Sequence, residues 1–229
     1  MLEPAHRRTR ASAARAGAAA GIAGPAAFTG AWIAGSLRQT GHPAAGIQIS
    51  GLAAPDARDP WIMIAGFLVL GGCTVAFGAA LRQALGGRAR AGAAPWLIQA
   101  AGLATIAAGL LHRDHLLLTA GSVSWHNHAH DVISAAIYVD LVAAQLLLAA
   151  RFGRDPGSPP DPGQAEGPAW KPWRPWLLAS AAATAAVLVA FAADTSACDA
   201  GILQRVAVSI PLAAIAAIAA RLVRTPASG

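Results

Sequence analysis

Charge is what this chain most lacks. Seventeen basic and eleven acidic side chains make up 12% of its 229 residues, where a soluble domain carries about a quarter. With 55% of the residues hydrophobic, too few polar groups remain to cover an ordinary globule. Intrinsic disorder is excluded for the same reason, since such segments are polar and highly charged. Only two cysteines are present, which excludes a small disulfide-stapled secreted domain. The long apolar runs do not alternate with polar residues, so membrane β-barrel strands are excluded as well. What is left is an integral membrane protein built from helices.

Six windows are apolar over roughly the 20 residues that a bilayer-crossing helix needs. They lie near 16–37, 61–84, 95–112, 127–150, 174–193 and 201–223. The expected fold is therefore an all-α, six-transmembrane-helix bundle filling residues 16–224 as one membrane domain. A basic segment, 1–15, would precede it and a short tail, 225–229, would follow. Frequent Gly and Ala suit the close approach of helices in lipid. Residues 152–173 are rich in Pro and Gly and read as an irregular linker. Trp170, Trp173 and Trp176 stand at the start of the fifth window, the usual place for interfacial aromatics. The first apolar run is long and leaves no clear A-x-A site between its end and Arg38, so it reads as a retained span rather than a cleaved signal peptide.

Thirteen of the seventeen Lys and Arg residues fall at the two ends of the chain and in the 2–3 and 4–5 loops. The opposite side has only Arg38, Arg58, Arg113 and Arg205. By the positive-inside rule both termini are expected in the cytoplasm, in the inner membrane of a bacterial type of cell. The formal charge of +6 is thus a matter of topology. Nucleic acid is not an expected partner, because no water-exposed domain could carry a basic face. The lipid bilayer is.

Polar residues gather at the other end. His112, Asp114, His115, His126, His128, His130 and Asp131 surround the 3–4 loop, with Ser50 and His42 in the 1–2 loop. His126 and His130 are four residues apart and so share a helix face. Such a pair can hold a metal ion, and zinc would need a third ligand, for which His112 is a candidate. Histidines at a membrane boundary are also commonly just hydrated or capping. Asp140 lies roughly 13 Å further along the fourth helix than Asp131. A carboxylate at that depth is costly and needs a partner or a wet cavity. Arg205 is the expected partner, either as a structural ion pair or as part of a polar pocket that Tyr138, the only tyrosine, would also line. Cys73 and Cys198 sit at different depths and are not expected to pair.

Several motifs in order resemble a bacterial family of six-helix membrane proteins catalogued as domain of unknown function 998. Ser50-Gly51-Leu52 is similar to its Ser-x-Leu element before the second helix. Gly109 to Asp114 (GLLHRD) is similar to its Gly-x-Phe-x-x-Asp element. His126 to Asp131 resembles its His-x-x-x-His-Asp, and Gly201 to Arg205 its Gly-x-x-Gln-Arg. Gly51 stands where an acidic residue is common and Leu111 replaces an aromatic. The resemblance marks Ser50, Asp114, His126, His130 and Arg205, and implies no particular reaction. In residue kinds alone the set is also similar to zinc-dependent intramembrane hydrolases of the alkaline ceramidase type.

Two functions follow as expectations. One is a metal-dependent intramembrane hydrolase acting on a lipid or small hydrophobic substrate. His126, His130 and His112 would hold zinc, with Asp114 or Asp131 as base and Ser50 as a nucleophile or a neighbour of the metal-bound water. The other is a non-enzymatic protein that binds or transports a small ligand, using Asp140, Arg205 and Tyr138. Haem transport of electrons is disfavoured, since the histidines crowd one side only.

Overall fold

The computed structural model describes residues 3–86, 92–117, 122–153, 170–193 and 199–224. They form six helices: α1 (Glu3–Arg38), α2 (Trp61–Ala84), α3 (Ala94–Leu110), α4 (Trp125–Phe152), α5 (Trp173–Ala193) and α6 (Ala200–Arg224). No strand occurs among the described residues. Most of the expected linker, at 154–169, and the tail lie outside the described residues, as do Asp194 and Cys198. Four helices, α2, α4, α5 and α6, are long and apolar enough to cross a membrane. This is a membrane protein. The apolar α3 has 17 residues. Helix α1 starts at Glu3, well before the expected residue 16. Its Ala-rich, Arg-bearing first turns favour a helix whether or not lipid surrounds them.

Each helix packs on its neighbours in chain order, and α6 returns against α1 to close a ring. The 1–2 loop, the described part of the 3–4 loop and the start of α6 meet at one end, here called distal, and the end of α6 lies at the other, proximal end. Small residues set the spacing. A Cβ on Gly71 would lie 2.6 Å from the Gly102 carbonyl oxygen, and one on Gly102 2.8 Å from that of Gly71, so α2 and α3 touch backbone to backbone. On α1, Gly17 and Gly24 admit Ala76 and Cys73 of α2 in the same way. At the proximal end Phe152, Trp170, Trp173 and Trp176 form a ladder of rings, and the Arg221 guanidinium lies 5.0 Å from the Trp170 ring centre.

Candidate functional site: a distal cavity under a buried loop

The middle of the 1–2 loop does not lie on the surface. From Ile47 to Ala54 every residue is buried, with a 3-10 turn at Ser50–Ala53, so the loop plugs the distal mouth of the ring. Buried irregular backbone must find hydrogen-bond partners, and α6 supplies them. Arg205 donates through Nη1 to the carbonyls of Ala44 and Ile47, both at 2.8 Å, and through Nη2 to Ser36 Oγ at 2.8 Å. Its guanidinium also lies 5.2 Å from the Trp32 ring centre. Gln204 Oε1 accepts from the Ile49 N–H at 2.6 Å. Gly201 N–H donates to Ala45 O at 2.7 Å, and a Cβ there would collide with the carbonyls of Ala44, Ala45 and Ile47. The Gly-x-x-Gln-Arg element is thus a receptor for the loop.

This corrects the expectation for Arg205. It pairs with the loop, not with Asp140, and no ion pair joins the two among the described residues. The physical reason is rotation about α4. Asp131, Ser134, Ala135, Tyr138 and Val139 line a cavity, and Asp140 lies one further residue, about 100°, off that stripe. Neither Asp140 nor Arg205 lines the cavity; Tyr138 does.

The zinc arrangement is also corrected. His130 is fully buried, and its Nδ1 lies 2.9 Å from both Ala108 O and Leu111 O, so the ring caps the last carbonyls of α3. His126 Nδ1 faces Ser124 Oγ at 2.5 Å and Asp114 Oδ1 at 3.5 Å. His112 Nδ1 lies 3.1 Å from the Arg113 carbonyl. Among the described residues no three His, Cys, Asp or Glu side chains are grouped to hold a metal ion, so His112, His126 and His130 do not form a three-ligand zinc set there.

Asp114 belongs to a helix cap. Its Oδ2 accepts from Ser124 N–H at 2.5 Å and its Oδ1 from Ser124 Oγ–H at 2.9 Å. Ser124 in turn is the N-cap of α4 and accepts from Asn127 N–H. Those bonds, the backbone one first and then the hydroxyl, hold the Asp114 carboxyl below its ordinary range. Ser124, His126 and Asp114 superficially suggest a hydrolytic triad. Ser and Asp, however, address the same ring nitrogen, so no proton relay runs across the imidazole.

The cavity beneath the plug measures about 510 Å³, within the usual range for small-ligand sites. Its lining mixes polar side chains, Gln48, Ser50, Gln204, Arg113, His130 and Asp131, with apolar ones, Val139 of α4 and Leu188, Phe191 and Ala192 of α5. A second cavity of about 50 Å³ shares Ser50, Ser134, Tyr138 and Gln204 and continues among Phe28, Phe67 and Leu212. Ser50 Oγ lies 3.4 Å from Gln48 Oε1 and accepts from Gln204 Nε2 at 3.4 Å; neither neighbour is a base that would activate it. The sequence does not mark Gln48, Arg113 or Gln204 as cavity residues, whereas Ser134 shares the α4 stripe of Asp131 and Tyr138. The one available signal for Gln48 was a lone amide inside the apolar run Gly46 to Leu52.

The model of the family described as protein of unknown function (DUF998) matches residues 22–221. The chain belongs to that family. No curated protein and no solved structure matches the chain. Family membership therefore brings no reaction with it, and the geometry above carries the functional argument.

Proposed function

We propose that this DUF998 protein is a binding protein for a small amphiphile. All six helices would span the inner membrane, with the proximal end and both termini in the cytoplasm. The charge asymmetry of the loops supports that orientation. The observation that carries the function is the mixed lining of the cavity, polar and apolar side chains around about 510 Å³. Val139, part of its lining, is 67% exposed, which supports entry of a chain from the lipid beside α4. The test is extraction of the purified protein followed by mass spectrometry of co-purified small molecules, wild type beside Ser134→Trp. One amphiphile per chain in the wild type, lost in the filled variant, is expected. Equal lipid content in both would refute it.

A second reading, hydrolysis of the bound amphiphile, rests on His130. Two carbonyl acceptors at Nδ1 place the proton there and leave Nε2 as a potential base. A steady release of fatty acid from an ester amphiphile, abolished in His130→Phe but not in His126→Ala, would favour it over binding alone.

A further inference from the structure

Resting on the amphiphile reading, we infer that the ligand's head combines an acidic oxygen, read by Arg113, with a neighbouring hydroxyl, read by His130 Nε2. The ligand class is a hydroxylated phosphate or carboxylate lipid.

Arg113 enters the cavity wall from the 3–4 loop with its side chain only 12% exposed. A guanidinium carries five N–H donors. Among the described residues Nη1 donates to neutral Gln48 Oε1. Nη2 forms an ion pair with Asp131 Oδ1 at 3.7 Å, a separation too long for a hydrogen bond, so its N–H donors are not used up by it. Asp131 is itself turned partly to Asn127, from whose Nδ2 it accepts at 3.0 Å. The cation therefore reaches the cavity with donors to spare, and a planar donor fork suits phosphate or carboxylate oxygens.

His130 has the complementary need. Its Nδ1–H is taken by Ala108 and Leu111, and Nε2 is buried with no hydrogen-bond partner. A ring nitrogen without a proton accepts only from a donor, and an acid oxygen alone supplies none. A hydroxyl beside the acid group answers both residues at once. The chain attached to that head has Val139, Leu188 and Phe191 to lie against.

The experiment measures binding to the full-length protein in nanodiscs of zwitterionic lipid. The probes are hexanoylglycerol phosphate, hexanoylglycerol, the deoxy analogue of the first, and glycerol phosphate. The phosphate probe should bind on the order of a hundredfold tighter than hexanoylglycerol. Arg113→Gln should erase that gap. Removing the hydroxyl should weaken wild-type binding about tenfold, and should change nothing in His130→Phe. The deoxy comparison in the wild type keeps the His130 assignment open to refutation even where that variant fails to fold. Equal affinity for the charged and neutral amphiphiles overturns the inference and leaves the amphiphile reading standing. Glycerol phosphate binding as tightly as its acylated form overturns the amphiphile reading itself. Failure of every probe removes both.

Discussion

Arg205→Ala should release the plug. In the structure the guanidinium holds two loop carbonyls and the Ser36 hydroxyl, each at 2.8 Å. A hydrogen bond to a charged group contributes roughly 1.5–3 kcal/mol. Arg205 is partly exposed, and water replaces some of what is lost, so the expected cost is about 2–4 kcal/mol rather than the threefold sum. Arg205→Lys keeps the charge but not the fork and should recover about half of it. The assay is reversible unfolding in detergent or in nanodiscs, followed by far-UV circular dichroism. A loss under about 0.5 kcal/mol for the alanine variant would refute the latch. A double-mutant cycle with Asp140→Asn then separates this account from an Asp140–Arg205 ion pair. The latch predicts additivity within about 0.5 kcal/mol, as for residues with no shared partner. A coupling above ~1 kcal/mol would show that the two side chains do meet.

Gly201→Ala should destabilise by about 1–3 kcal/mol, because its Cβ meets three backbone carbonyls that cannot swing away; an unchanged melting temperature would count against the packing. His130→Ala should be much more costly than His126→Ala, since only His130 is buried and caps α3; comparable melting temperatures would reverse that ranking. Asp114 adds a pH dependence. Its folded carboxyl is held below the ordinary value, so the cap's contribution is present above the ordinary carboxylate range near 4 and disappears as pH falls through the lowered value. Melting curves of wild type and Asp114→Asn between pH 7 and 3 should converge at the acid end, and parallel curves would contradict the assignment. Asp140→Asn should leave amphiphile affinity unchanged, and a tenfold loss would place Asp140 in the site after all.

Much of the helical frame was legible because an apolar run of some 20 residues has few other fates. The α2 bounds, Trp61 to Ala84, follow directly from such a run. The start of α1 was not legible, since solvent change and helix end need not coincide. At the site, periodicity placed His126 and His130 on one side of α4 but said nothing of what faces them. The α3 carbonyls at Ala108 and Leu111, far away in sequence, decide His130's role. Depth along α4 was readable for Asp140, whereas its rotation relative to α5 and α6 was not. Gln48 and Gln204 are not legible as cavity residues, because an amide is informative only once it is known to be buried or to receive a loop. For Arg205, a cation near a deep acid suggests an ion pair, while a buried loop's carbonyls compete for it just as well.

The central claim is that an amphiphile occupies the cavity between α4 and α5 rather than merely surrounding the protein. Photo-crosslinking with a diazirine-bearing acylglycerol phosphate, mapped by peptide mass spectrometry, tests it most directly. The account predicts adducts concentrated at Val139, Leu188 and Phe191, and their suppression in Ser134→Trp. Adducts spread evenly over lipid-facing positions such as Leu103 and Val132, and indifferent to that substitution, would contradict it.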